Sequence, residues 1–246
     1  SIFNELIDRY MIKWIVNENA VGLYSASYRL GIFMLIIVMA FKLSWQPYYL
    51  KEGKKKESHQ LFSQVGTYFL FITIYIWLFF TFFIQQIIQI SFNGQYFINK
   101  IYWDSISIVP IVMLAYIILG VYLIQLPGIY IKNKNYWIPI LNIFGAVVNI
   151  LLNLILIPNY GYKSAALATL IGYGIMVVLQ YFVIIRFYPL YWEWKKIFKI
   201  IVISGVLFVS WKWSGSIWYI GFINLILYPI LLWAFRFFIS REKQYL

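Results

Sequence analysis

The stretch Asn142–Gly161, "NIFGAVVNILLNLILIPNYG", decides the fold. It sets three amides, Asn142, Asn149 and Asn153, into a run oily enough to lie inside a lipid bilayer. A spacing of 7 and then 4 puts them within about 40° of one another on a helix turning 100° per residue, so they form one polar stripe on an otherwise apolar helix. Comparable runs recur along the chain near 21–50, 60–90, 104–130, 163–187, 197–213 and 216–238, each long enough to cross a hydrocarbon core of about 30 Å. A shorter helical stretch, about 1–16, precedes them. Of the 246 residues 63% are hydrophobic, whereas a soluble domain carries about 45–50%. The sequence therefore predicts an all-α, polytopic membrane helix bundle. The chain begins with Ser1, and the short first helix reads as the truncated start of the rear part of a longer transporter.

The formal net charge of +12 suggests nucleic acid in a soluble protein, but its distribution gives another reading. Thirteen of the twenty Lys and Arg fall in "KEGKKKES", "IKNKN", "RFYPLYWEWKKIFK" and the tail carrying Arg236, Arg241 and Lys243, and only Lys100, Lys163 and Lys212 fall in the alternate joins. The positive-inside rule places the first set and the C-terminus in the cytoplasm, and no nucleic-acid partner is expected. Aromatic clusters such as "WQPYY" at 45–49 and "WKW" at 211–213 mark the interfacial belts at the helix ends.

The chain has no cysteine and one histidine, His59, read as a loop residue beside a lysine run. Disulfides, thiolate metal sites and a Ser/His/Asp set are excluded on that inventory, and no enzyme activity or cofactor is expected.

Polar residues inside membrane helices carry the functional information, because each is costly in hydrocarbon. The Asn149/Asn153 stripe reads either as interhelical glue or as an oxygen cluster lining a cavity. After the turn "PNYGYK", the segment "SAALATLIGYG" puts Ala165, Ala168, Thr169 and Gly172 on a small-residue face that lets a neighbouring helix approach. The short turn packs this helix antiparallel to the amide helix, so that Thr169 shares the cluster. Arg29, with Ser25 one turn earlier and Tyr28 adjacent, reads as the place to hold a diphosphate, or as a snorkelling side chain. Lys42 reads as a snorkelling anchor. In "NELIDRYMIK", Glu5 and Arg9 at i,i+4 neutralise each other, which leaves Asp8 facing the amides or lying on a solvated helix end.

The succession "DRYMIKWIVNENAVGLYSASYRL", "AFKLSWQPYYLKEGKKK" and "NILLNLILIPNYGYKSAALATLIGYG" resembles the C-terminal half of polysaccharide-export flippases of the multidrug/oligosaccharidyl-lipid/polysaccharide exporter superfamily. The resemblance implies a second six-helix lobe over about 1–193 and an accessory helix pair with a cytoplasmic tail over about 194–246. A first lobe would be missing. The implied activity is translocation of an undecaprenyl-diphosphate-linked oligosaccharide across the bacterial inner membrane for polysaccharide biosynthesis, by alternating access, alongside other polysaccharide-assembly proteins.

The sequence is also similar to the related lipid II flippases, which implies a cavity arginine at Arg29 and a sodium site at Asp8, Asn149, Asn153, the backbone carbonyl of Ala165 and the side chain of Thr169. That branch can carry Asp where this chain has Asn153. The change weakens cation binding and leaves sodium or proton coupling open. The rival readings are a drug or cation antiporter of the same superfamily, a non-transporting membrane subunit, and a membrane glycan enzyme.

Overall fold

The computed structural model describes residues 2–55, 57–92, 95–96 and 98–238. Lys56, Arg241 and Lys243, counted above in the basic set, lie outside the described residues. Eight α-helices follow one another: α1 (Ile2–Ile15), α2 (Glu18–Glu52), α3 (Ser58–Ile88), α4 (Val109–Ile131), α5 (Trp137–Tyr160), α6 (Ser164–Ile184), α7 (Trp194–Trp213) and α8 (Trp218–Ala234). Between α3 and α4 lie a two-residue antiparallel pairing, Ser91–Phe92 with Gln95–Tyr96, and a 3-10 helix, Lys100–Ile108. The chain is an all-α membrane helix bundle.

Among the described residues, five segments are long and apolar enough to cross a membrane: α2, α3, Lys100–Ile131, α5 and α6. Helices α7 and α8, also expected to span, are not among these five. Helix α7 carries Lys195, Lys196 and Lys199 at one end and Lys212 at the other, which shortens its apolar part. Helix α8 has 17 residues, about 26 Å at 1.5 Å per residue. The two pack on each other and on α3. Asn224 of α8 donates to the Leu207 carbonyl and to Ser210 Oγ of α7, both at 2.9 Å.

Helix α4 is the spine. Its sequence, "VPIVMLAYIILGVYLIQLPGIYI", is apolar all round and has no polar face to turn outward, so it is enclosed by α2, α3 and α6. Two glycines set the approach. A Cβ on Gly31 of α2 would stand 2.4 Å from Val112 Cγ1, and one on Gly120 of α4 would stand 2.3 Å from Phe69 Cζ.

The basic joins gather at one end. Ser58 Oγ lies 2.8 Å from Tyr188 Oη, and the Lys134 ammonium sits over the Phe187 ring. His59 corrects the loop expectation: it stands in the first turn of α3, its Nδ1 is 2.6 Å from the Pro189 carbonyl, and its ring stacks on Tyr188 at 4.0 Å. At the opposite end Lys163 donates to the Asp104 carbonyl at 2.6 Å, and Ser27 donates to Ser105 Oγ at 2.7 Å, which ties the 3-10 helix to α2 and to the α5–α6 turn.

Gly31→Val is expected to lower stability by about 1–3 kcal/mol by forcing α2 away from α4. Thermal unfolding in nanodiscs should show the loss, and Val112→Ala should restore part of it. Gly22→Ala, where nothing lies within 4 Å, should not destabilise the chain in this way.

Candidate functional site

The close contact of α5 and α6 comes from glycine. A Cβ on Gly172 would stand 3.1 Å from the Gly145 carbonyl oxygen and 3.3 Å from Asn149 Cβ, so the two backbones run nearly in contact at this level. That proximity lets the Asn149 amide donate to Thr169 Oγ1 at 3.1 Å. One turn on, Asn153 donates to Asn149 Oδ1 at 3.3 Å and to Asp8 Oδ1 at 2.6 Å. Thr169 donates to Asp8 Oδ2 at 2.7 Å, and Tyr24 Oη of α2 donates to the same oxygen at 3.0 Å. Helices α1, α2, α5 and α6 thus meet on one carboxylate.

Asp8, Asn149 and Asn153 are 0% exposed and Thr169 is 1% exposed, so the cluster is sealed. Asp8 faces the amides, and the solvated-end alternative fails on this burial. Ala165 is also 0% exposed, one turn before Thr169 on the same helix face. In α-helical geometry its carbonyl accepts the Thr169 N–H, which leaves one lone pair for any other partner. Asp8, Tyr24, Asn153 and Thr169 lie five to seven residues from the helix ends remote from the basic joins, a depth of about 8–11 Å, and Asn149 lies one turn deeper than Asn153.

Glu5 and Arg9 pair at 3.9 Å, and Glu5 accepts the Tyr116 hydroxyl at 2.8 Å. Asp8 takes part in none of the ion pairs among the described residues. Its charge is met only by the dipoles of two hydroxyls and one amide. Asn153 Oδ1 has no hydrogen-bond partner despite its burial. This unpartnered oxygen belongs to a cluster that also holds a carboxylate, a second amide oxygen and a hydroxyl, oxygen groups of the kind that hard cations take as ligands. Among the described residues no group of three or more His, Asp and Glu gathers to hold a metal by other chemistry.

Arg29 is exposed on α2, and Ser25, half-buried, shares its flank one turn away. Tyr28 does not join them. It is 1% exposed and packs edge-on against Tyr116 with ring centroids 6.0 Å apart, because one residue along a helix turns the side chain by about 100°, here into the core. Asn142 also departs from the stripe: its amide donates to Tyr122 Oη at 3.1 Å and to the Ile138 carbonyl at 2.7 Å. It shares the helical face of Asn149 but stands seven residues, about 10 Å, from it along the axis.

Tyr24 is the member that sequence reasoning missed. In a chain with 22 tyrosines its residue type carries no signal; only its position one turn before Tyr28, on the packed face of α2, sets it apart. Comparison with family models, with curated proteins and with solved structures finds no match for this chain.

Thr169→Val keeps the side-chain shape and removes both hydrogen bonds. It strands the Asn149 amide and deprives Asp8 of a donor, with an expected loss of about 1–3 kcal/mol. Thr169→Ser should retain most of the stability, as read by thermal unfolding in detergent.

Proposed function

We propose that this chain is one lobe of a flippase that carries an undecaprenyl-diphosphate-linked oligosaccharide from the cytoplasmic to the outer leaflet of the bacterial inner membrane by alternating access. The observation that supports this reading most is the convergence of α1, α2, α5 and α6 on the sealed Asp8 carboxylate. A carboxylate without a counter-charge is costly inside a membrane bundle, and such residues mark ion or substrate pathways. The positive-inside rule, applied to the basic joins, supports a cytoplasmic location for that end. The resemblance implies a companion lobe that completes the path.

Arg29 keeps its charge at any working pH and offers parallel N–H donors that match phosphate oxygens, and Ser25 adds a hydroxyl on the same flank. The diphosphate would hold these contacts while the polyprenyl tail stays in lipid. Asp8, Asn149, Asn153, Thr169 and the Ala165 carbonyl would hold a coupling cation, sodium or a proton. When bound, that cation supplies the positive charge the cluster lacks. Without it, Tyr24, Asn153 and Thr169 must all point at Asp8 to solvate the carboxylate, which draws α1 and α2 onto the α5–α6 pair. Relief of that demand lets α1 shift against α5 and α6, the kind of two-state element alternating access requires. No bond is made or broken.

A second reading, a drug or cation antiporter of the same superfamily, is favoured by the same buried Asp8. Two measurements separate them.

In proteoliposomes holding the lobe with its companion, Arg29→Ala should abolish translocation of a fluorescent undecaprenyl-diphosphate oligosaccharide at equal folded protein. Undiminished transport would refute the arginine assignment, and cation-driven drug efflux without headgroup movement would favour the antiporter. Asn149→Leu with Asn153→Leu should also stop transport while folded protein stays in the membrane. Full complementation by that double variant would rule out a working role for the cluster.

A further inference from the structure

Lys42, expected as a snorkelling anchor, is half-buried on α2. It follows Met34 and Val38 on the packed face of α2 and precedes Trp45 and Tyr49 on it. There it lines a pocket of about 270 Å³ between α2, α4 and α5, together with Trp45, Gln46, Tyr49, Tyr122 and Asn142. The pocket lies near the basic end: Tyr49 stands three residues from the end of α2, and Asn142 stands five from the start of α5. Lys42 is thirteen residues, about 20 Å, along the helix from Arg29, so the pocket is separate from the arginine flank.

Its chemistry is that of hydrogen-bond donors. No Asp or Glu lines it. The Trp45 indole is 4% exposed, and its Nε1–H has no partner. Tyr122 Oη accepts from Asn142, which leaves the phenolic proton to be donated. An ammonium, an indole N–H and a phenol around one space match the oxygens of a phosphate and offer no carboxylate to repel them.

On the other flank of α2, Phe41 and Ile37 line an apolar groove of about 440 Å³ against Leu61, Val65, Phe69 and Ile72 of α3. The Phe41 ring stacks on Trp45 at 5.6 Å, so the groove and the pocket share an aromatic wall at one depth. An apolar channel beside a donor-lined pocket fits an amphiphile with an anionic head.

We propose that this pocket binds the diphosphate headgroup of a polyprenyl amphiphile at the basic end of the bundle, a contact separate from Arg29. The inference rests on the flippase reading for the class of substrate, but its test is binding rather than transport. The full chain is placed in nanodiscs, and binding of radiolabelled farnesyl diphosphate, inorganic pyrophosphate and farnesol is measured against empty nanodiscs.

Farnesyl diphosphate should bind the most tightly of the three. Lys42→Gln should weaken it by about tenfold or more, through loss of a charge-assisted bond, and Lys42→Arg should retain it. Trp45→Phe keeps the ring and removes only the N–H, and should weaken binding by about threefold to tenfold at an unchanged unfolding temperature. Lys212→Gln, exposed in the last turn of α7, should leave binding within about twofold of the native chain, a shift below the scatter of single-contact effects.

Unchanged affinity in Lys42→Gln or Trp45→Phe would overturn the proposal, as would a loss at Lys212→Gln equal to that at Lys42→Gln. Farnesol or pyrophosphate binding as tightly as farnesyl diphosphate would overturn the amphiphile assignment. Normal binding by the Lys42 and Trp45 variants, with transport lost at Arg29→Ala, defeats the pocket and leaves the flippase standing. Binding lost at the pocket, with no headgroup transport by the native protein, does the reverse.

Discussion

The Asp8 carboxylate is the constraint on which the bundle depends. It is sealed from solvent and met by no cation among the described residues, so every compensating dipole must come from another helix. Tyr24 reaches it from α2, Asn153 from α5 and Thr169 from α6, which fixes the register of α1 against all three. In a medium without water, misalignment by one turn would leave an ion and several amides unsolvated together. The Gly145–Gly172 approach that brings α5 and α6 into contact thus serves the polar cluster as much as the packing.

Around that cluster the chemistry is distributed along α2. Its first third supplies Tyr24 to the carboxylate, its exposed flank carries Arg29, and its last third carries Lys42 and Trp45 to the pocket against α4 and α5. Helix α4 supports this long element through the Gly31–Val112 contact and has almost no polar side chain of its own. At the basic end, the Ser58–Tyr188 and His59–Pro189 contacts join the start of α3 to the segment after α6. Those side chains bridge 130 residues, a tertiary reason for polar residues that hydropathy assigns to a loop.

Hydropathy located every helix because each core-crossing run is a local property of some twenty residues. Helices α7 and α8 stand apart from the five long apolar segments, because lysines and a 17-residue length cut into the apolar run. The pairing of Asn149 with Asn153 was legible from i,i+4 spacing, and that of Thr169 from the short turn before it. Asn142 satisfied the same periodicity and still went to Tyr122, because periodicity gives the angle around a helix and not which neighbour lies at that depth. Arg29 and Tyr28 divide for the converse reason: adjacent in sequence, they point to opposite surroundings.

By itself the sequence determined an all-α membrane bundle, the direction of its charge asymmetry and one amide-bearing helix hairpin, all of which follow from local composition and helical period. Tertiary structure alone decided that Asp8 is the centre of the cluster, that Tyr24 completes it and that Lys42 lines a pocket between α2, α4 and α5. Those outcomes depend on where helices cross, and a crossing is set by side chains far apart in sequence: Gly145 with Gly172, Gly31 with Val112, Gly120 with Phe69. No window of the chain contains both members of such a pair at contact distance until the bundle has formed.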